Sequence, residues 1–296
     1  MIRNVESFLE YMIVIRGASE NTIAAYRRDL VRFAQEMESK GAEKPDQVTE
    51  EMVSDYFFAM EHSDVAASTL SRHMSAVRAF FRFLVENDDV SRNVTDVLKQ
   101  PKLTKRRPQT LSPEEIERLL SAPDGSKPMG LRDHAILELL YASGLKVSEL
   151  TALYPSDIDL RAAIVRVENT EEGTSREIPF GEKARNALVE WIAKGRERYV
   201  PALATAPLFV NVRGTGLTRQ SVWKLVKHYA DSVGIRKKIT PGSLRHSFAA
   251  HLMENGADAR SLTRMMGFAS ESQTVIYESD EDLRLREVYE RAQKRG

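Results

Sequence analysis

Apolar residues recur along this chain with the period of an amphipathic helix over most of its length. Residues 3 to 16 place Val5, Phe8, Leu9, Met12 and Ile13 on one stripe, and Gly17 closes that helix. Ser19 stands where it can cap a second helix reaching Met37, with Ile23, Tyr26, Leu30 and Phe33 inward. A third helix is predicted from Glu50 to Met60. A fourth runs from Ala67 to Asn87, its inner face carrying Leu70, Met74, Val77, Phe80, Phe81 and Leu84. Arg27, Arg28, Arg72, Arg78 and Arg82 fall off these stripes. Taken alone, they fit either a solvated helix face or a surface that meets phosphates.

The periodicity stops at PKLTKRRPQT, where Lys102, Lys105, Arg106 and Arg107 lie between two prolines. This segment reads as a basic linker over 101–110, dividing a four-helix region over 1–100 from a second region over 111–296. The second region opens with Ser112-Pro113-Glu114-Glu115, a capping box with proline in the first turn. HAILELLYASG reads as a buried helix closed by Gly144, and LKVSELTAL begins another. IVRVEN and SREIPF are β-branched runs around the polar EEGTS, which predicts a hairpin; LFVN reads as a brief strand. EKARNALVEWIAKG and TRQSVWKLVKHYADSVG are amphipathic helices. From Thr240 follow a helix with Leu244, Phe248, Leu252 and Met253 on one face, a break at Asn255-Gly256, and a short helix ending at Gly267. A last helix spans Glu281 to Ala292, and its Leu283, Leu285, Val288 and Tyr289 are too apolar for a free tail. The pattern is mainly α, an α+β chain with one small sheet.

Composition narrows the classes. A chain of 296 residues fits two domains better than one. Cysteine is absent, which excludes disulfides and thiolate metal sites and fits a cytoplasmic protein. No apolar run approaches the roughly 20 residues of a membrane span, and the start lacks the pattern of a signal peptide. The 43 basic residues balance 43 acidic ones, so binding of nucleic acid would have to come from local patches.

The candidate chemistry lies in the Thr240 segment. Arg245 and His246 sit near a helix start, where outward backbone N–H groups favour an anion, and Tyr277 stands about thirty residues on. LRHSFAAHLMENGADARSL, followed by GFASESQTVIY, resembles the signature segment of the tyrosine recombinases, or phage integrases, of the bacterial Xer type. Gly17 to Leu30, which reads G-x-S-x-N-T-x-x-x-Y-x-x-D-L, resembles the SAM-like four-helix DNA-clamping domain of the same family.

The resemblance implies a helical catalytic domain and duplex DNA as partner, held partly by Arg27, Arg28, Arg72, Arg78 and the linker cations. It also implies assembly of like or related subunits on DNA through the C-terminal helix, with no metal and no cofactor. In the family a tyrosine attacks a phosphodiester, leaving a 3′-phosphotyrosyl bond, while two arginines stabilise the doubly charged phosphorane. Tyr277 stands at the nucleophile, Arg245 at the H-x-x-R arginine, and Glu149 at the acid that orients the first arginine. That first arginine is Lys146 here. The H-x-x-R histidine is Gly242, the histidine or tryptophan after Gly267 is Phe268, and Glu171 falls at or beside the hairpin lysine. Lysine keeps charge but loses the planar fork; glycine removes a proton-transfer group; an ionised Glu171 repels phosphate. Each lost donor or acid is worth on the order of 10²–10⁴ in rate. The expectation is site-selective DNA binding with cleavage impaired or absent. An active recombinase and an interaction scaffold without specific DNA affinity are the alternatives. His246 and His251 lie roughly 140° apart on one helix, so one at most faces the site, and packing is the expected role of His246. Arg176 is within reach of a phosphate but is a very poor proton donor.

Overall fold

The helices of the N-terminal region begin where polar side chains can accept free backbone N–H groups. Ser19 Oγ accepts from the Thr22 amide at 3.3 Å, and Thr49 Oγ1 from that of Met52 at 3.2 Å. The computed structural model describes residues 1–98, 108–169, 174–201 and 205–277. It divides the chain into two compact units, Met1–Lys105 and Arg106–Gly296. Among the described residues, no helix is long and apolar enough to cross a membrane.

The first unit packs α1 (Ile2–Val14), α2 (Glu20–Ser39), α3 (Glu50–Glu61) and α4 (Ala67–Glu86) around Leu30, Phe33, Val77, Phe80 and Phe81, all fully buried. Phe8 meets Phe80 edge-on at 5.7 Å. Ile13, expected inward, is 51% exposed, and the residues after it, Val14 and Ile15, are more exposed still. The polar centre of the unit is Asp29, 6% exposed. Arg72 grips its carboxylate with two hydrogen bonds, of 3.0 and 2.9 Å. His73, 1% exposed, shares a hydrogen bond of 3.1 Å with the Tyr56 hydroxyl and lies 3.6 Å from Asp29. Burial holds the His73 imidazole down to about 4, outweighing the pull of Asp29 in the other direction.

The second unit begins with α5 (Pro113–Leu120), capped as the sequence predicts: Ser112 Oγ accepts from the Glu115 amide, and Glu115 Oε2 from the Ser112 amide. Then come α6 (Pro128–Ser143), α7 (Val147–Ala152), β1 (Ile158–Asp159), β2 (Ile164–Asn169), β3 (Thr174–Pro179), α8 (Glu182–Glu190), α9 (Arg219–Ser232), α10 (Pro241–Glu254) and α11 (Ala259–Met266). The hairpin is antiparallel from Ile164↔Pro179 to Asn169↔Thr174, and β1 adds a third strand against β2. The strand expected at LFVN is reduced to a lone bridge between Val210 and Gly216. Its backbone is engaged elsewhere: the Leu208 amide donates to Leu153 O at 2.6 Å, and Leu208 O accepts from the Trp191 indole at 2.9 Å. The expected C-terminal helix, Glu281 to Ala292, lies outside the described residues.

Two helix ends in this unit meet through glycines. Gly144, after α6, and Gly267, after α11, both have φ of 60°. A Cβ on Gly144 would lie 2.6 Å from Phe248 Cδ1 and 2.8 Å from Met266 Sδ. One on Gly267 would lie 3.0 Å from Arg176 Cζ and Nη1.

Two predictions follow from these features. The folded His73 pKa of about 4 lies below the unfolded value, so stability present at neutral pH is lost as pH falls through 6.5 towards 4. Denaturant titrations should show a loss of about 2 kcal/mol between pH 7 and 5, and His73→Gln should flatten that slope. Gly144→Ala should cost on the order of 3 kcal/mol, adding strain of the left-handed backbone to a clash. Gly267→Ala should cost about 1–2 kcal/mol, since the group it meets is the end of a long side chain.

Candidate phosphate-binding site

Helix α10 starts at a capped turn: Thr240 Oγ1 accepts from the Ser243 amide at 3.3 Å, and Pro241 fills the first position. Its buried Leu244 and Phe248 fix the rotation of the helix and thereby direct Arg245 towards the ends of α6 and α11. Arg245 donates through Nη1 to Gly144 O and through Nη2 to Met266 O, the latter at 2.6 Å. Both acceptors are carbonyls at helix C-termini, where a cation is favoured. Burial lowers the guanidinium pKa, Glu149 raises it, and the neighbouring Arg176 lowers it again.

Arg176 comes from β3. Its Nε donates to Met265 O at 3.1 Å and its Nη2 to Glu149 Oε2 at 2.8 Å. The same Glu149 oxygen accepts from the backbone amide of Lys146 at 2.7 Å, capping the start of α7. Glu149, expected to orient the side chain at position 146, thus holds the backbone of that residue and the guanidinium of Arg176. The Lys146 side chain is exposed, and no described residue forms an ion pair with it.

Tyr277 ends a short turn, Val275–Tyr277, and is 7% exposed. Its hydroxyl lies 2.5 Å from His246 Nδ1. Its ring stacks on Phe268 with centroids 6.4 Å apart and planes 13° off parallel, while Arg245 Cζ lies 5.4 Å from the Phe268 ring centre. Burial raises the Tyr277 pKa against the opposing pull of Arg245. Burial, and secondarily Arg245, lowers that of His246. His246 is therefore neutral at pH 7, and in the tautomer with its proton on Nε2 it accepts from the phenol. Packing is the expected role of His246; its ring does pack on Tyr277, 5.8 Å between centroids, and its Nδ1 also meets the hydroxyl. His251, on another side of α10, pairs with the Tyr141 hydroxyl at 3.0 Å.

Gly242 lies in the first turn of α10, where an added Cβ would meet only Thr240 Oγ1, at 3.4 Å. Glu171 and the linker residues Lys102, Lys105, Arg106 and Arg107 lie outside the described residues. In the first unit, the arginines off the core stripes are largely engaged within the protein. Arg27 pairs with Glu6, Arg28 donates to Ala24 O at 3.1 Å, Arg72 is bound to Asp29, and Arg78 donates to Leu98 O. A buried carboxylate needs a partner, so Arg72 is committed to Asp29.

The sequence did carry a signal for Arg176. In a strand, residues two apart share a face, and Ile178 is fully buried, so Arg176 belongs to the covered side while Glu177 faces out. Among the described residues, no group of three or more His, Asp and Glu side chains could hold a metal ion.

The whole chain has relatives. Residues 109–284 match the phage integrase family, and residues 5–88 match the phage integrase N-terminal SAM-like domain. The tyrosine recombinase XerD of Ralstonia nicotianae is 38% identical over 292 residues, spanning 99% of this chain and 94% of the relative. That of Halalkalibacterium halodurans is 39% identical over 290 residues, 97% of this chain and 96% of the relative. Among solved structures, the integrase of transposon Tn1549 in complex with a circular intermediate DNA shares the fold. Its TM-score is 0.75 at 22% identity, over 96% of this chain and 98% of that one. With two family domains in order and more than a third of its residues shared with XerD proteins over nearly its full length, this chain is a member of the phage integrase family of tyrosine recombinases, of the Xer type.

Proposed function

We propose that the protein binds duplex DNA at specific sites, using 1–100 and 111–296 joined by the basic linker at 101–110, assembles on it in the cytoplasm, and cleaves it poorly. One observation carries this reading. Arg245 and Tyr277 are gathered in one place, so a phosphate can be held near a nucleophile, while the positions that would move protons hold Gly242 and Glu171, and the one that would donate a hydrogen bond to the phosphate holds Phe268. The XerD relatives are tyrosine recombinases by name, and the Tn1549 integrase was solved with DNA; both support duplex DNA as partner.

The chemistry follows from what remains. Attack by the Tyr277 oxygen on phosphorus forms the 3′-phosphotyrosyl bond and breaks the bond to the 5′-oxygen, which must gain a proton as it leaves. Gly242 cannot accept the phenolic proton, and a carboxylate at position 171 cannot supply one to the leaving oxygen at neutral pH. Lys146 offers a point charge in place of a fork. Binding thus survives better than turnover.

A second reading, an active recombinase, draws on the 2.5 Å contact between His246 and Tyr277. That histidine is placed to accept the proton which Gly242 cannot take. It leaves the leaving oxygen without an acid.

Two experiments test the proposal. Duplex binding should fall steeply with salt although the net charge is zero, and neutralising Lys102, Lys105, Arg106 and Arg107 together should lower the slope of log K against log salt by up to about 3 to 4; an unchanged slope would favour the scaffold reading. On a site selected from random duplexes and nicked to trap the intermediate, the unmodified chain should give little covalent adduct. Lys146→Arg, Gly242→His, Phe268→His and Glu171→Lys combined should raise the yield, and adding Tyr277→Phe should abolish it. At position 242 an added Cβ meets only Thr240 Oγ1, at 3.4 Å, an ordinary contact. Abundant adduct from the unmodified chain would establish the active reading instead.

A further inference from the structure

We infer that Arg176 of strand β3 supplies the second phosphate-gripping guanidinium of the site, in place of the side chain at position 146. This deepens the proposed function and rests on the reading that the Arg245 site holds a phosphodiester.

The two guanidinium groups are delivered to one place from distant parts of the chain. Arg245 is anchored on Met266 O and Arg176 on Met265 O, consecutive carbonyls at the end of α11. Each also has a second anchor, Gly144 O for Arg245 and Glu149 Oε2 for Arg176. Side-chain exposure of Arg176 is 17% and that of Glu149 is 12%. Two planar forks are therefore fixed in orientation before any ligand arrives, which reduces the ordering cost of binding.

The charges do not cancel. Arg176 and Arg245 share a single carboxylate, Glu149, and Arg176 is close enough to Arg245 to disfavour its charge. Like charges held together in a half-buried place are costly, and an anion between them removes that cost. Arg176 Nη1 has no hydrogen-bond partner among the described residues. The Nε and Nη2 of Arg176 are the atoms that hold it to Met265 O and Glu149. Gly267 bears on its placement: a Cβ there would lie 3.0 Å from Arg176 Cζ and Nη1, so the absence of a side chain is what lets the guanidinium lie against the end of α11. Each guanidinium has five N–H groups and spends two on these anchors, so N–H donors remain on both for the two non-bridging oxygens of a phosphodiester. Lys146, by contrast, lacks any anchor that would aim its ammonium.

The alternative is that Arg176 serves only as a strut between the hairpin, α7 and α11. The full chain, labelled with 15N in its arginines, is titrated with inorganic phosphate while the Nε–Hε resonances are followed; Arg176→Gln and Arg245→Gln identify the two signals. Both resonances should shift along one saturation curve, Arg176→Gln should weaken phosphate binding about tenfold, and Arg176→Lys should fall between. Thermal melting of each variant reports the strut role separately. If phosphate moves Arg245 but not Arg176, or binds Arg176→Gln as tightly as the unmodified chain, the inference is overturned. Absence of shifts in both resonances overturns it as well. No DNA is involved, so this result stands apart from the duplex-binding assay that tests the proposed function.

Discussion

Arg245 brings a positive charge into a half-buried position and spends its hydrogen bonds on the closing carbonyls of two helices. Gly144 O and Met266 O belong to segments more than a hundred residues apart in the chain, and the guanidinium binds them to each other. The arrangement depends on backbone that turns sharply at both points, which the two left-handed glycines provide. Once Arg245 is seated, the remaining components have few places to go. Phe268 lies against it, Tyr277 stacks on Phe268, and His246 closes over the hydroxyl. The Tyr277 hydroxyl is thus positioned through aromatic contacts that trace back to one buried charge.

Most of this architecture was legible in the sequence where local rules decide it. The Ser19, Ser112 and Thr240 starts, the glycine stop at Gly144 and the hairpin around EEGTS each depend on a few neighbouring residues. LFVN fails that test because its backbone bonds are settled by Leu153 and Trp191, residues no local window contains. The site divides along the same line. Arg245 and Tyr277 were visible through resemblance to a family, whereas the pairing of Glu149 with Arg176 joins α7 to β3 and is a product of tertiary packing. Alternation along β3 placed Arg176 on the covered face; which carboxylate met it could not be read from one strand. The hydrogen bond of His246 is hidden from the sequence for a related reason, since its partner lies on a turn whose path is set by Phe268 and Arg245.

Balanced charge has a counterpart in the first unit. There the basic side chains off the apolar stripes are not simply solvated: Arg27, Arg72 and Arg78 each satisfy a group of the protein itself. Counting cations along a helix therefore overstates what a polyanion would meet, because an arginine bound to Asp29 delivers little net field beyond the pair. The second unit shows the opposite arrangement in miniature, two guanidinium groups beside one carboxylate.

Glu149 answers to two demands at once. Its oxygen caps the first turn of α7 and also holds Arg176, so the position is constrained by folding as well as by chemistry. Gly242 bears no such double duty: an added Cβ would meet only Thr240 Oγ1, at 3.4 Å. A substitution at position 149 therefore disturbs a helix start and a guanidinium together, and its effect on the fold cannot be separated from its effect on the site. A substitution at position 242 meets no such coupling, so the two positions differ in how freely sequence can vary there, whatever the chemistry asks of them.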